Sequence, residues 1–122
     1  MSAEKTLNLL GLAARQRAAV SGETLYQKLS KGQIHVVLGA SDAGKNTAKK
    51  LRDKCSYYDC PLYVCFTGEE LSRAMGKRGR MAAGVTNAGL ARAIIQSLRE
   101  EDNYAEETKQ RQQKQETGGE PQ

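Results

Sequence analysis

Tryptophan is missing from this 122-residue chain, phenylalanine and histidine each occur once, and proline occurs twice. A Ser/His/Asp set would have only His35 to draw on, and His35 sits inside an apolar run that reads as a strand. Cysteine is sparse as well. Cys55, Cys60 and Cys65 are odd in number, lie five residues apart and form no Cys-x-x-Cys pair. Neither a disulfide framework nor a metal site is expected, and the thiols are expected to be reduced. No apolar run approaches the ~18 residues needed to cross a membrane. The N-terminal Met-Ser-Ala-Glu-Lys lacks the basic-then-apolar order of a signal peptide, so a cytoplasmic location is expected. Carboxylates pair only as Glu69-Glu70, which the dipole of a helix start explains, and near the C-terminus. No catalytic residue, cofactor or metal is expected, and the chain reads as a non-enzyme.

The most telling absence is of acid. Residues 71–99 contain no Asp or Glu, yet Lys77, Arg78 and Arg80 follow closely on Gly76. Gly76 and Gly79 carry no Cβ to obstruct a close approach. Such a loop suits a phosphate backbone, because its cations displace condensed counterions.

The charge of the whole chain, +5, conceals a division. Residues 1–99 hold 16 Lys/Arg against 7 Asp/Glu, a net +9, whereas residues 100–122 hold 3 against 7, a net −4. A basic domain of that size favours polyanions, RNA or DNA. Residues 100–122 are Glu/Gln/Lys-rich and too apolar-poor to bury, so they are expected to be a disordered acidic tail or a frayed helical extension.

Leu7, Leu10 and Ala14 recur at helical spacing, and the Arg15-Gln16-Arg17 segment ends that helix. Residues 18–20 form a connector or short edge strand. Ser21-Gly22 opens a second helix that stops at Gly32. Residues 34–38 read as a buried strand. Ser41 or Asp42 is the expected N-cap of a third helix, with Ala48, Leu51, Cys55 and Tyr58 inward. A strand at 62–66, a helix at 68–75 capped by Thr67, a strand at 81–85 and a last helix capped by Thr86-Asn87 follow. Strands alternating with amphipathic helices predict one α/β domain over residues 1–99, a three-layer α/β/α sandwich around a small mixed sheet.

One motif points elsewhere. Gly39-Ala-Ser-Asp-Ala-Gly44-Lys45-Asn46-Thr47 follows a strand and nearly matches the phosphate-binding P-loop. Asn46 stands where a magnesium-binding hydroxyl belongs, and Thr47 lies one place later, a rotation of about 100° on a helix. An N-capped helix start is the competing account of the segment. On that helix Lys45, Lys49 and Arg52 fall within about 60° of one another, a basic stripe suited to RNA contact or to solvation.

Ser21-Gly22-Glu23-Thr24-Leu25-Tyr26-Gln27-Lys28, Ser41-Asp42-Ala43, Asn46-Thr47, Lys54-Cys55 and Leu71-x3-Met75-Gly76-Lys77 together resemble the YlxQ-like bacterial branch of the kink-turn RNA-binding ribosomal protein family, the L-seven-Ae family. The resemblance spans about residues 4–99. It implies a single α/β/α domain that binds kinked RNA stems without catalysis, as a ribosomal or ribosome-associated ribonucleoprotein component and a monomer. By position, Gly22 and Lys28 match the family's Gly-x-Asn-Glu-x-x-Lys segment, while Thr24 and Leu25 replace its asparagine and glutamate. Phosphate contacts are thus kept and base readout is weakened. Met75, Gly76, Lys77, Arg78 and Arg80 occupy the second RNA-contacting loop. The expected RNA-binding set is Gly22, Glu23, Thr24, Lys28, Lys45, Lys49, Met75, Gly76, Lys77, Arg78 and Arg80. Two other classes stay open: a nucleotide-binding protein acting through residues 39–47, and a protein–protein adaptor whose basic face is incidental and whose contact is the acidic tail.

Overall fold

A computed structural model describes residues 2–100, and the acidic tail expected beyond them lies outside the described residues. The elements run α1 (Ser2–Arg15), β1 (Ala19–Val20), α2 (Gly22–Ser30), β2 (Val36–Ala40), α3 (Lys45–Tyr57), β3 (Leu62–Phe66), α4 (Gly68–Met75), β4 (Ala82–Val85) and α5 (Ala88–Arg99). The strands form one mixed sheet in the order β1-β4-β2-β3. β2 pairs with β3 in parallel, and β4 is antiparallel to both β2 and β1. The expected α/β/α sandwich and its edge strand at residues 18–20 are what the chain forms. Among the described residues no helix is long and apolar enough to cross a membrane.

Alternation along β2 divides the core. Val36, Leu38 and Ala40 face one way and pack with Leu10 and Ala13 of α1, Leu71 and Met75 of α4, and Ile94 and Leu98 of α5. Val37 faces the other way, toward Leu25 and Leu29 of α2 and Leu51 and Cys55 of α3. On the first side, the buried hydroxyls of Thr6 and Ser97 hydrogen-bond to each other and tie α1 to α5. Ser97 Oγ also lies 2.8 Å from the Ile94 carbonyl oxygen, to which it donates. On the second side α2 comes so close to the sheet that a Cβ at Gly84 would overlap the Leu25 side chain and press on Ile34. Glycine in β4 therefore sets how deeply α2 sits.

Three local expectations shift. The strand expected at 34–38 forms at Val36–Ala40 instead, because pairing with β3 and β4 carries it through Gly39. His35 is therefore not a strand residue. It sits exposed just before β2, its backbone N–H donating to the Val85 carbonyl at 2.9 Å. The third helix is capped neither by Ser41 nor by Asp42. It begins after Gly44, and Asp42 Oδ1 instead accepts the Gly68 N–H at 2.8 Å, at the start of α4. The last strand begins at Ala82, which leaves Met81 outside it and 39% exposed.

Burial raises the pKa of two of the three thiols, Cys55 and Cys65, and so disfavours their thiolates. The Cys55 thiol is pushed up from 9.0 to about 12 by burial first and by Cys60 second. Cys65 is also pushed to about 12, by burial and then by the Glu70 charge. A raised native pKa means the folded state holds its proton more tightly. The associated stability is complete below the unfolded value near 9 and is lost as pH rises toward 12. The melting temperature is expected to fall steadily between about pH 9 and pH 11. Cys55→Ala with Cys65→Ala should flatten that slope, as thermal melts of both proteins across the window will show.

Candidate nucleic-acid interface

Strand direction collects the relevant residues. β1 and β3 both run with β2, so all three end at the same edge of the sheet, where β4 begins. Each is followed by a helix, and the N-termini of α2, α3 and α4 emerge together there. Residues 76–81, which lead into β4, arrive at the same place.

These ends differ in how their backbone donors are met. At α4, Thr67 Oγ1 accepts the Glu70 N–H at 3.1 Å and Glu70 Oε1 accepts the Thr67 N–H at 2.9 Å, a capping box. Asp42 adds a third bond at the same terminus. Asn87 caps α5 through the Leu90 N–H at 2.9 Å. By contrast, no side chain caps α2 behind Ser21 or α3 behind Gly44. The first N–H groups of a helix have no partner within it and carry its positive dipole end. An anion reaching these two ends meets donors that no N-cap side chain has claimed.

Between them lies a hollow of about 300 Å³ lined by Gly22, Leu25, Tyr26, Asn46, Thr47, Lys50, Met81 and Ala82. Gly22 opens α2 with φ +64, a left-handed conformation that favours glycine, although a Cβ there would meet nothing within 4 Å. Lys50 Nζ stands 4.3 Å from the centroid of the Tyr26 ring, a cation–π contact on the wall of the hollow. The Tyr26 phenol is held above its usual range by burial first, then by Cys55 and Glu23, so it stays neutral.

A second hollow, of about 490 Å³, lies between α4 and the basic loop. Glu69, Ser72, Arg73, Lys77, Arg78, Gly79 and Met81 contribute to its walls, with Arg73 paired to Glu69 at 2.9 Å. Met81 borders both hollows and joins them into one surface. The loop itself is held in shape. Gly76 and Gly79 take φ of +70 and +66, and the Lys77 N–H donates to the Ser72 carbonyl at 2.9 Å. Ser72 Oγ accepts the Arg80 N–H at 2.7 Å and donates back to the Arg80 carbonyl at 3.2 Å. One buried hydroxyl thus pins both backbone groups of Arg80. Arg80 is half-buried, and its Nε is enclosed without a partner.

The expected site residues separate under this geometry. Gly22, Lys77 and Arg78 line the two hollows, Glu23 and Thr24 lie exposed on the first turn of α2, and Gly76 is exposed in the loop. Lys28 lies in the last turn of α2, about 9 Å along the axis from Gly22. Met75 is only 6% exposed and packs in the core beneath the loop, so it supports that loop rather than reaching outward. Lys45 and Lys49 are exposed, but Lys49 pairs with Asp53 at 2.7 Å on its own helix. With Leu51 and Cys55 turned inward, Asn46, Thr47 and Lys50 fall on the flank facing α2. The Lys45/Lys49/Arg52 stripe falls on the other, about 140° away.

The two hollows also bring in Tyr26, Lys50, Ser72, Arg73 and Met81, which the expected set does not contain. Tyr26 had a legible signal, four residues after Gly22 and therefore on its side of the helix. Leu25 marks the sharpest departure. It is 1% exposed and packs toward Gly84 at the floor of the first hollow, so a polar group at this position would face the core, and the outward pair is Glu23-Thr24, one residue earlier. Leu25→Glu is expected to bury a carboxylate and destabilise the fold by roughly 3 kcal/mol or more, without adding recognition. Urea denaturation measures this; a variant as stable as the parent would place residue 25 outside the core.

The near-P-loop dissolves into other structure. Gly39 belongs to β2, where a Cβ would meet Leu51 at 3.3 Å and Leu62 at 3.5 Å, so its amide is part of the sheet rather than a phosphate cradle.

No family model matches the chain. RNA-binding protein YlxQ of Bacillus subtilis (strain 168) is 41% identical over 99 residues, which are 80% of this chain and 99% of that protein. RNA-binding protein YlxQ of Enterococcus faecium is 36% identical over 90 residues, 73% of this chain and 86% of that one. Among solved structures, a protein of unknown function from Bacillus halodurans superposes with a TM-score of 0.72 at 42% identity, covering 76% of this chain and 95% of its own. The Giardia lamblia 15.5kD RNA binding protein superposes with a TM-score of 0.65 at 19% identity, covering 81% and 88%. At that identity the likeness speaks for the fold alone.

Proposed function

Since the chain belongs to the YlxQ family of RNA-binding proteins, we propose that it binds structured RNA without catalysis, at the surface formed by the two joined hollows. The observation that carries this reading is the meeting, at one sheet edge, of two helix N-termini without side-chain caps and an acid-free basic loop. A stem with a sharp bend suits the surface, because it brings phosphates to two places while turning an unstacked base toward Met81. The flexible, polarizable thioether of Met81 can pack on any base. Lys77, Arg78 and the open amides of α2 and α3 then hold phosphates. Glu23 and Thr24 are the first-turn side chains placed to touch base edges. A kinked ribosomal or ribosome-associated RNA, met by a monomer in the cytoplasm, completes the proposal.

Titration of a fluorescent hairpin with an asymmetric internal loop, at several salt concentrations, tests it. Lys77→Ala with Arg78→Ala is expected to weaken binding and to lower the salt slope by roughly 2. The same pair should weaken a kinked stem and a straightened control equally, whereas Glu23→Ala should narrow the difference between them. A folded double variant with unchanged affinity and slope refutes the loop's role.

The adaptor reading rests on the acidic tail, which lies outside the described residues. The nucleotide reading requires a cradle that Gly39 does not provide. ATP or GTP with magnesium is expected to leave the melting temperature unchanged. A stabilisation that disappears in Lys45→Ala would restore residues 39–47 as a nucleotide site.

A further inference from the structure

Two large apolar side chains stand exposed among the described residues: Met81, between the two hollows, and Tyr57, 80% exposed near the end of α3. They are linked by one face of that helix. At 100° per residue Asn46, Lys50, Lys54 and Tyr57 lie within about 80° of one another, over about 16 Å of helix axis. Asn46 and Lys50 line the first hollow, so this face leads directly out of it. Lys50 is steadied over Tyr26 at its inner end. At its outer end Tyr57 meets Tyr58 edge-on, with ring centroids 4.9 Å apart and planes at 89°. Tyr58 packs against the second core cluster, so the exposed ring is braced from one side. The carboxylates nearby are Asp53, paired with Lys49 at 2.7 Å, and Asp59, just past the helix end.

Cations spaced along a track that ends in a braced, exposed aromatic ring match the chemistry of unpaired nucleic acid, with phosphates on lysines and a base stacked on the ring. A double helix would offer no free base face to Tyr57. We propose that this face of α3 carries a single-stranded RNA segment leaving the bound stem, its phosphates on Lys50 and Lys54 and one base stacked on Tyr57. The proposal rests on the RNA-binding reading and extends it from a stem to a stem with an unpaired flank.

The test uses the full chain and the looped hairpin, blunt-ended or carrying an adenosine extension at either its 5′ or its 3′ end. One of the two extensions is expected to tighten binding about tenfold, from a single added stacking contact. Tyr57→Ala should remove that gain, Tyr57→Phe should keep it, and neither should change affinity for the blunt hairpin. Lys54→Ala should lower the salt slope by about 1 for the extended hairpin only. An extension gain that survives Tyr57→Ala, or no gain from either extension, overturns the proposal and leaves Tyr57 to a protein contact. In those cases blunt-hairpin binding still sensitive to Lys77→Ala with Arg78→Ala keeps the RNA-binding reading intact. Failure of the wild-type chain to bind any of these RNAs overturns both.

Discussion

The shared direction of β1, β2 and β3 is the constraint on which the rest of this molecule depends. Once β4 is inserted antiparallel between β1 and β2, three helix N-termini must open at one edge of the sheet, and the turn into β4 must end there. Each helix brings a partial positive charge to that edge. The loop adds Lys77, Arg78 and Arg80, while the acids at that end are Glu23 on α2, Asp42 bonded to the start of α4, Glu70 in its capping box and Glu69, which lines the second hollow and pairs with Arg73. A single topological choice therefore gathers three helix N-termini and a basic loop at one place, which the side chains then sharpen.

What distinguishes the three helix ends is where their donors go. Thr67, Glu70 and Asp42 close the start of α4, so that helix serves as a fixed wall from which Ser72 reaches out to hold Arg80. The starts of α2 and α3 are left without side-chain partners, and both line the first hollow. Rigidity and availability are thus divided between neighbouring elements. The loop loses little freedom on binding, because two left-handed glycines and the Ser72 clamp already fix its path.

Much of this was legible in the residues themselves. Leu62–Phe66 and Gly68–Met75 formed where expected, because a β-branched and aromatic run bounded by Pro61 and Thr67 leaves few alternatives. The basic loop was legible because three cations beside two glycines need no tertiary knowledge to recognise. Asp42 misled, since a residue placed to cap its own helix was drawn across to Gly68, a partner 26 residues away. The α3 stripe of Lys45, Lys49 and Arg52 lies on the flank away from the first hollow. Periodicity tells which cations share a flank, but only the inward turn of Leu51 and Cys55 decides which flank meets α2. Ser72 gave no signal at all, because its importance lies in a turn that closes back eight residues later.

Leu25 connects these levels. Its side chain reaches the sheet where β4 has no Cβ, and that contact sets how deeply α2 sits and so where Gly22, Glu23 and Thr24 stand. A carboxylate at position 25, as the family pattern places it, would face the core here. The chain instead keeps leucine for packing and begins the helix with a left-handed glycine. The polar first-turn pair thereby falls one residue earlier, at Glu23-Thr24. Which α2 side chains point outward is therefore read from the turn of the helix rather than from the spacing of a motif, since one residue of register is about 100° of direction.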